Sequence, residues 1–394
     1  MSNHTLHNVQ HYEPAPPTNA SLEYADLCII DFSKADTEEG RAALAGQVKK
    51  GLRNQGFLYI VNFGYTQEEV KKFHSSRVLY SFIYHISTQT TRMFDIADVH
   101  FSCVPDDEKR KYATKMFETG SEAGFKLRKY WATGDGIPDQ IEQYCYHRVD
   151  TLEHPEALRP LLPEIDKLCK YSRFNVLHTL LRLIARSLEL PKDTLVNKHN
   201  WDRRSDSAVK FIKVEKALIG VTARLQNHND FMESVVTKFY HSHVIKAVQV
   251  INLGDAMEFL TGGYHKAMIH RVVQPPEDQR QYSRLGSYYI ARAGDDVKLV
   301  PLVESPVLQR EGIERRCEDS HAPTMIKWGR DRTKAFGKQG IDEVTISAQI
   351  SLAIYYHLEI DTIKGIEGVK SCEALKNERS ENGVQELSAR ARYY

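Results

Sequence analysis

Three residues of the chain could together bind a metal ion. The segment LQNHNDF contains His228 and Asp230 two positions apart, and the later segment MIHRVV contains His270. In an extended backbone, residues i and i+2 point to the same side, so His228 and Asp230 can approach one ion. Two imidazoles and one carboxylate form the facial triad of non-haem Fe(II) oxygenases, which leaves positions open for a cosubstrate and O2. We therefore predict an Fe(II) site made of these three residues, with no catalytic residue beyond the metal ligands.

The spacing of these residues is a weak signal by itself. The chain has 17 histidines and 52 acidic residues, so such a combination also arises by chance. His228 could instead be a surface-loop histidine, and His270 a hydrogen-bonded histidine of the core. His241 and His243 form a second pair nearby, which we interpret as part of a loop or strand rather than as ligands. The surrounding elements must decide between these interpretations.

The sequence pattern changes near residue 200. Before it, the segments LCIIDFS and FLYIVNFG have strand composition, and the segment between them predicts a helix that ends at Gly56. Residues 155–190 have helical periodicity and predict a long buried helix or a bent pair. After residue 200, Gly- and Pro-containing turns separate short apolar segments that predict strands. These segments are SAVKFIKV, KAVQVINLG, KAMIHRVV, RLGSYYIA and VKLVPL.

These patterns predict an order of segments along the chain. APTMIKWGRDRTKAFG predicts a final helix that packs back onto the core. The Pro- and Asn-rich beginning predicts a flexible arm. The predicted segments are an arm over 1–25, a helical N-terminal domain with a few strands over 26–200, an insertion within it at 75–92, a β core over 201–335 and a C-terminal extension over 336–394.

A longer segment around His270 resembles a known family. VINLGDAMEFLTGGYHKAMIHRVVQPP is similar to the core of the 2-oxoglutarate/Fe(II)-dependent oxygenases of the isopenicillin N synthase-like group. In that family an apolar strand leads into N-x-G-D, a short helix, a glycine-containing turn and then His-Arg-Val. The matching residues here are Asn252, Gly254, Asp255, Gly262, Gly263, His270, Arg271 and Val272. The resemblance covers most of residues 27–335. It implies an α+β fold with a mainly β core, a double-stranded β-helix (jelly roll) flanked by helices.

The family also has a binding site for the cosubstrate 2-oxoglutarate. There an Arg-x-Ser on a strand after the distal histidine binds the far carboxylate, since a guanidinium can donate two parallel hydrogen bonds. In DQRQYSRLGSYYI, Arg284 matches in register, but Gly286 occupies the serine position. Arg280, followed by Ser283, is the alternative, and strand alternation favours Arg284. The tyrosine that the family often places before the HxD motif is absent from KFIKVEKALIG.

The resemblance implies a 2-oxoglutarate- and Fe(II)-dependent dioxygenase. With O2 as the second cosubstrate, it would oxidise a small organic metabolite, by default through hydroxylation, and release succinate and CO2. The segment DFMESVVTKFYHSHVIKA, after Asp230, is shorter than its counterpart in the family and predicts a shortened barrel wall. This leaves open a catalytically impaired relative that binds a ligand or partner without turnover. A cupin-like metalloenzyme that does not use 2-oxoglutarate is a further alternative.

Composition limits the classes of partner. The formal net charge is +1, from 53 basic and 52 acidic residues, so the chain lacks the basic surface expected for nucleic acid or an anionic membrane. No apolar run is long enough to span a bilayer, and the polar first residues do not have the pattern of a signal peptide. The six cysteines form no CxxC pair, as is typical of reduced thiols. We therefore predict a cytoplasmic monomer that acts on a small molecule, without nucleic acid or membrane partners.

Overall fold

Two β-sheets and several helices make up the described part of the chain. The structure is a computed structural model that describes residues 8–13, 15–16, 18–21, 27–63, 92–130, 139–147, 153–214, 222–226, 231–233, 248–267, 270–273, 276–315, 321–335 and 353–354. The larger sheet has eight strands and the smaller has three. Nearly all of the predicted insertion, residues 75–92, lies outside the described residues.

The first helix, α1 (Glu38–Asn54), has the start and the buried face that its sequence predicts. The Thr37 hydroxyl accepts a hydrogen bond from the amide of Gly40 (3.0 Å) and caps a first turn that carries two glutamates. Leu44, Val48 and Leu52 recur at helical spacing and are buried against the neighbouring strands. The helix therefore covers the beginning of the larger sheet.

The larger sheet joins strands from distant parts of the chain. Its order is β1-β2-β8-β11-β10-β5-β4-β3, and β1 and β2 are parallel while the other neighbours are antiparallel. Strands from both sides of the predicted boundary at residue 200 lie in this one sheet, and the predicted domain division stays a prediction. The strands are β1 (Cys28–Asp31), β2 (Phe57–Val61), β3 (Gly124–Lys126), β4 (Ile141–His147), β5 (Ala208–Val214), β8 (Val248–Asn252), β10 (Arg284–Ile290) and β11 (Ala353–Ile354).

The smaller sheet has the order β7-β6-β9 and is antiparallel. Its strands are β6 (Thr222–Gln226), β7 (Phe231–Glu233) and β9 (His270–Val273). The remaining described helices of the first half are residues 92–102 (α2), α3 (Asp106–Lys111), α4 (Met116–Thr119), α5 (Leu162–Tyr171), α6 (His178–Ser187) and α7 (Thr194–Lys198). Those of the second half are α8 (Asp255–Leu260), α9 (Pro306–Arg310) and α10 (Met325–Ala335).

One face of the larger sheet packs against helix α2. Residues paired across antiparallel strands share a face, so Phe211 of β5, Tyr144 of β4 and Phe125 of β3 point the same way. His100 of α2 lies among them, with ring centroids 4.6 Å from Phe211 and 5.2 Å from Tyr144. Burial lowers the pKa of His100 to about 3, so this histidine is a neutral core residue. We call this surface the His100 face.

The segment 155–190 contains one continuous helical stretch, Glu156–Ser187. A short 3-10 turn (Glu156–Leu161) leads into α5, a π-helical turn (Ser172–Leu177) follows, and α6 completes it. Of the two predicted alternatives, a long buried helix or a bent pair, the structure has the continuous helix. The π turn directs Arg173 inward, where it is almost fully buried and donates to the hydroxyls of Ser207 (3.1 Å) and Tyr289 (3.3 Å).

Helix α10 packs back onto the core, as the sequence predicts, and its contacts there include α8. Met325 and Trp328 are buried in a small cluster with Ala256 and Ala293. Arg332 lies 3.7 Å from the carboxylate of Asp255, the acidic residue of the N-x-G-D segment. In this chain Asp255 therefore contributes to holding helix α10 against the core.

One predicted strand is wrong. Residues 297–302, VKLVPL, form a connection whose β pairing is limited to an isolated bridge between Lys298 and Thr324. Val297, Leu299 and Leu302 are buried although the segment joins neither of the two described sheets. Pro301 has no backbone N–H to donate to a strand ladder, which explains why an apolar segment of this kind need not be a strand.

Candidate metal and cosubstrate site

His270 is the first residue of β9, as the sequence predicts for a ligand on a strand. Its partner on β6 is Leu225, and the next residue of β6, Gln226, pairs with Phe231 at the start of β7. Residues that face each other on antiparallel strands have Cβ atoms about 5 Å apart. The backbone at His270 therefore lies beside the end of β6, where the connection to β7 begins.

His228 and Asp230 belong to that connection, residues 227–230, which lies outside the described residues. Because Gln226 and Phe231 pair with each other, both ends of the connection are at the edge where β9 begins. This register is compatible with one site shared by the three predicted ligands, and the site stays a prediction. Among the described residues, no group of three or more His, Cys, Asp or Glu side chains is arranged to hold a metal ion.

The two candidate arginines differ in their surroundings. Arg284 is the first residue of β10 and is partly buried, whereas Arg280 is exposed in the turn after a short 3-10 helix (Glu277–Gln279). Ser283 lies between them, directly before the strand. The strand alternation that favours Arg284 is present in the structure, and the role of Arg284 in binding 2-oxoglutarate stays a prediction.

Arg284 projects from the face of the larger sheet opposite the His100 face. The register of β10, β5, β4 and β3 shows which side chains share it. We call it the Arg284 face, and its central residues are Arg284, Gly286 and Tyr288 of β10, Val214, Ile212 and Lys210 of β5, Ile141, Gln143, Cys145 and His147 of β4, and Lys126 of β3. Most of these residues are buried.

Buried ion pairs occupy one side of the Arg284 face. Lys126 pairs with Asp139, and both side chains are fully buried. Lys210 donates to both carboxylate oxygens of Glu122 at 3.0 Å. Burial would raise the pKa of Glu122, but the positive charges of Lys210 and Arg292 hold it below its ordinary value. This side of the Arg284 face is therefore polar, and each of the two buried lysines has a carboxylate partner.

These ion pairs were not predicted from the sequence. Lys126 and Lys210 stand in mainly apolar strand segments, GFK and AVKFIKV, and this was the available signal. A buried lysine needs a partner, yet the partner of Lys210 is Glu122, which is far away in the sequence. The pairing could therefore not be assigned without the sheet register.

A pH effect on stability is expected from His147. Burial alone would lower its pKa, but contacts with Cys145 and Asp206 raise it to about 9, and the pKa of Asp206 is held at about 2. Protonated His147 therefore stabilises the fold. The stabilisation is fully present below about pH 6.5, the pKa of an unfolded histidine, and is lost as pH rises through about 9. The free energy of unfolding of the wild type should fall by at most about 3 kcal/mol over that window.

Urea unfolding at several pH values between 6 and 10 measures this effect. The variant His147→Gln removes the titrating group and should be less stable at pH 6 with a flatter profile above it. If the wild type and the variant lost stability in parallel from pH 6.5 to 9, the pH dependence would come from other groups.

Comparisons with solved structures identify the fold. The full-length Neurospora crassa T7H in complex with alpha-KG matches with a TM-score of 0.59 and 16% identity, covering 78% of this chain and 96% of that one. A Caulobacter crescentus protein assigned to the 2OG-Fe(II) oxygenase family matches with a TM-score of 0.58 and 15% identity over 78% and 98% of the two chains. JOX2 in complex with 2OG, Fe and JA matches with a TM-score of 0.52 and 15% identity, covering 84% of this chain and 93% of that one.

Sequence-based comparisons add no closer relative. No protein-family model matches the chain, and no curated protein matches it. In the described part of the chain, no helix combines the length and the apolar character needed to cross a bilayer. The resemblance read from the segment around His270 is confirmed at the level of architecture: the chain has the fold of the 2-oxoglutarate- and Fe(II)-dependent oxygenases.

Proposed function

We propose that this protein is a 2-oxoglutarate- and Fe(II)-dependent dioxygenase that oxidises a small organic molecule. The observation that carries the proposal is the register of the smaller sheet. It pairs His270 with Leu225 near the end of β6, and this supports a site shared with His228 and Asp230, which follow β6 in the sequence. In this proposal the two sheets belong to a double-stranded β-helix.

The three proposed ligands suit Fe(II). Two neutral imidazoles and one carboxylate bind the ion with low net charge and leave room for 2-oxoglutarate and O2. When bound, the iron supplies the activation of O2 that is coupled to conversion of 2-oxoglutarate to succinate and CO2. The protein binds and orients the reactants. Arg284 pairs with the far carboxylate of 2-oxoglutarate, while buried Ile212 and Val214 on the same face exclude water.

A small organic substrate and hydroxylation are the finer parts of the proposal. Solved structures of T7H contain thymine or 5-formyluracil, and that of JOX2 contains JA, so small molecules are bound by proteins of this fold. The nearly neutral net charge also argues against a polyanionic substrate. A cytoplasmic, monomeric state stays a prediction.

Two measurements test the reaction. Anaerobic calorimetry should show that 2-oxoglutarate binds to the Fe(II)-loaded protein and binds much more weakly without the metal. In air, the same protein should release succinate and CO2 from 2-oxoglutarate. Metal-dependent binding without any turnover, across a panel of small organic substrates, would favour a catalytically impaired relative. Metal binding without 2-oxoglutarate binding would favour a cupin-like metalloenzyme.

Substituting each arginine in turn tests which of Arg284 and Arg280 binds the far carboxylate of 2-oxoglutarate. Arg284→Gln should weaken 2-oxoglutarate binding about 10- to 100-fold, because a hydrogen bond to a charged group contributes about 1.5–3 kcal/mol. Arg280→Gln is the matched control and should change the dissociation constant less than about twofold, since exposed charges contribute little. Calorimetric titration gives both values. The opposite ranking would assign the role to Arg280.

A further inference from the structure

Gly286 and Tyr288 are neighbours on the Arg284 face, and the Tyr288 side chain fills the space beside Gly286. A Cβ atom placed on Gly286 would lie 2.7 Å from both Cε2 and Cζ of the Tyr288 ring and closer still to its hydroxyl oxygen. The tyrosine ring therefore folds back along the strand over Gly286. Its hydroxyl occupies the space in which a side chain at position 286 would begin.

The dimensions of a strand explain this arrangement. Residues i and i+2 are separated by about 6.7 Å along a strand, which is close to the reach of a tyrosine hydroxyl from its own Cα. Tyr288 is only 4% exposed, so the packed surroundings fix the ring in this direction. Arg284 lies one further step along the same face. The ring thus directs its hydroxyl toward the guanidinium end of the strand.

We propose that the Tyr288 hydroxyl donates a hydrogen bond to the far carboxylate of 2-oxoglutarate beside Arg284. This inference rests on the proposed function, in which Arg284 binds that carboxylate. The sequence has glycine where the resembled family has the serine of Arg-x-Ser, and the structure puts a hydroxyl from two residues further along into that space. Tyr288 thereby takes the role of the absent serine.

The proposal makes positions 286 and 288 interdependent. Glycine is required at 286 because any larger side chain would collide with the aromatic ring. A small residue at 288 would in turn leave room for serine at 286. Both combinations, glycine at 286 with tyrosine at 288 and serine at 286 with a small residue at 288, keep one hydroxyl beside Arg284. Large residues at both positions would collide. Small residues without a hydroxyl at both positions would leave the carboxylate with one hydrogen-bond donor fewer.

The first experiment removes the hydroxyl and keeps the ring. Mn(II)-loaded protein is titrated with 2-oxoglutarate by calorimetry, so binding is measured without turnover. Tyr288→Phe should weaken binding about 10- to 100-fold, as expected for a lost hydrogen bond to a charged group. Tyr289→Phe is the matched control, because Tyr289 is equally buried on the same strand but faces Arg173 on the His100 face. It should bind 2-oxoglutarate as the wild type does.

A ligand change separates a direct contact from a structural effect. 2-Oxopentanoate has a methyl group in place of the far carboxylate of 2-oxoglutarate and keeps the keto acid. Tyr288→Phe and the wild type should bind 2-oxopentanoate with the same affinity if Tyr288 acts on the far carboxylate. An equal loss for both ligands would show a general packing defect and would overturn the proposal.

The second experiment exchanges the hydroxyl between the two positions. Gly286→Ser alone should weaken binding because of the collision with the ring. Gly286→Ser/Tyr288→Ala should bind 2-oxoglutarate at least about tenfold more tightly than Tyr288→Ala, by the contribution of one such hydrogen bond. Thermal unfolding of each variant verifies that the compared proteins are folded.

Three further outcomes contradict the proposal in distinguishable ways. If the wild type binds 2-oxoglutarate and Tyr288→Phe binds it equally well, Tyr288 does not contact the carboxylate. If Tyr288→Ala binds more tightly than the wild type, the ring obstructs the site rather than forming it. If the metal-loaded wild type does not bind 2-oxoglutarate at all, the proposed function fails, and the role of Tyr288 fails with it.

Discussion

Replacing His270 by alanine is expected to abolish metal-dependent succinate formation. His270 supplies one of the two proposed imidazole ligands, and the remaining pair, His228 and Asp230, cannot by themselves hold Fe(II) in a facial arrangement. Removing residues that only support a metal ligand typically costs 10–100-fold in affinity, so loss of a ligand itself should weaken Fe(II) binding by more than about 100-fold. Anaerobic Fe(II) titration and succinate release from 2-oxoglutarate measure the two effects.

An exposed histidine provides the control for this experiment. His321 lies at the surface of the described chain, outside both sheets, and His321→Ala should bind Fe(II) and form succinate as the wild type does. Circular dichroism of metal-free His270→Ala tests whether the fold is kept. If folded His270→Ala bound Fe(II) with unchanged affinity, the proposed ligand set would be incorrect and His241 and His243 would become the next candidates.

Breaking the buried Lys126–Asp139 pair is expected to give the largest loss of stability. Both side chains are fully buried, and Asp139 also accepts a hydrogen bond from the amide of Ile141 (3.0 Å). Asp139→Asn leaves the Lys126 ammonium without a negative partner. Lys126→Met leaves the Asp139 carboxylate without a positive one. Each change should lower the free energy of unfolding by about 3–5 kcal/mol, because an unpaired charge then remains in the interior. Guanidinium unfolding measures both.

The double variant distinguishes a charge effect from a packing effect. Lys126→Met/Asp139→Asn has no buried charge at this position and should recover most of the lost stability. As a control, Glu311→Gln removes the exposed pair with Arg53 (3.0 Å) and should cost less than about 1 kcal/mol. Additive losses in the double variant would show that the two residues contribute independently and not as an ion pair.

The pH dependence of Asp139→Asn provides a second check. Burial lowers the pKa of Lys126 to about 8, against the opposing effect of Asp139. Without Asp139 the folded-state pKa falls further below that of an unfolded lysine, near 10.4, so the unfolded state binds more protons and stability rises with pH. The difference in unfolding free energy between variant and wild type should therefore shrink from pH 7 to pH 10.

The first helix and the main strands could be predicted from local sequence, whereas the candidate metal ligands stay a prediction. Hydrophobic periodicity and helix caps depend on residues within a few positions of each other, so α1, β5 and β10 follow from their own segments. The same holds for the resemblance around His270, which the fold confirms. VKLVPL shows the limit, since an apolar segment can be buried by contacts that its own sequence does not contain.

Contacts between distant segments were decided only by the tertiary structure. Nothing in GFK or AVKFIKV shows that Lys126 pairs with Asp139 or Lys210 with Glu122, because the cost of a buried charge depends on a partner that the fold supplies. The resemblance to the family indicated only that Gly286 stands where that family has a serine. The folded strand places the Tyr288 ring over it, because side chains two residues apart share a face and only packing decides the direction in which they lean.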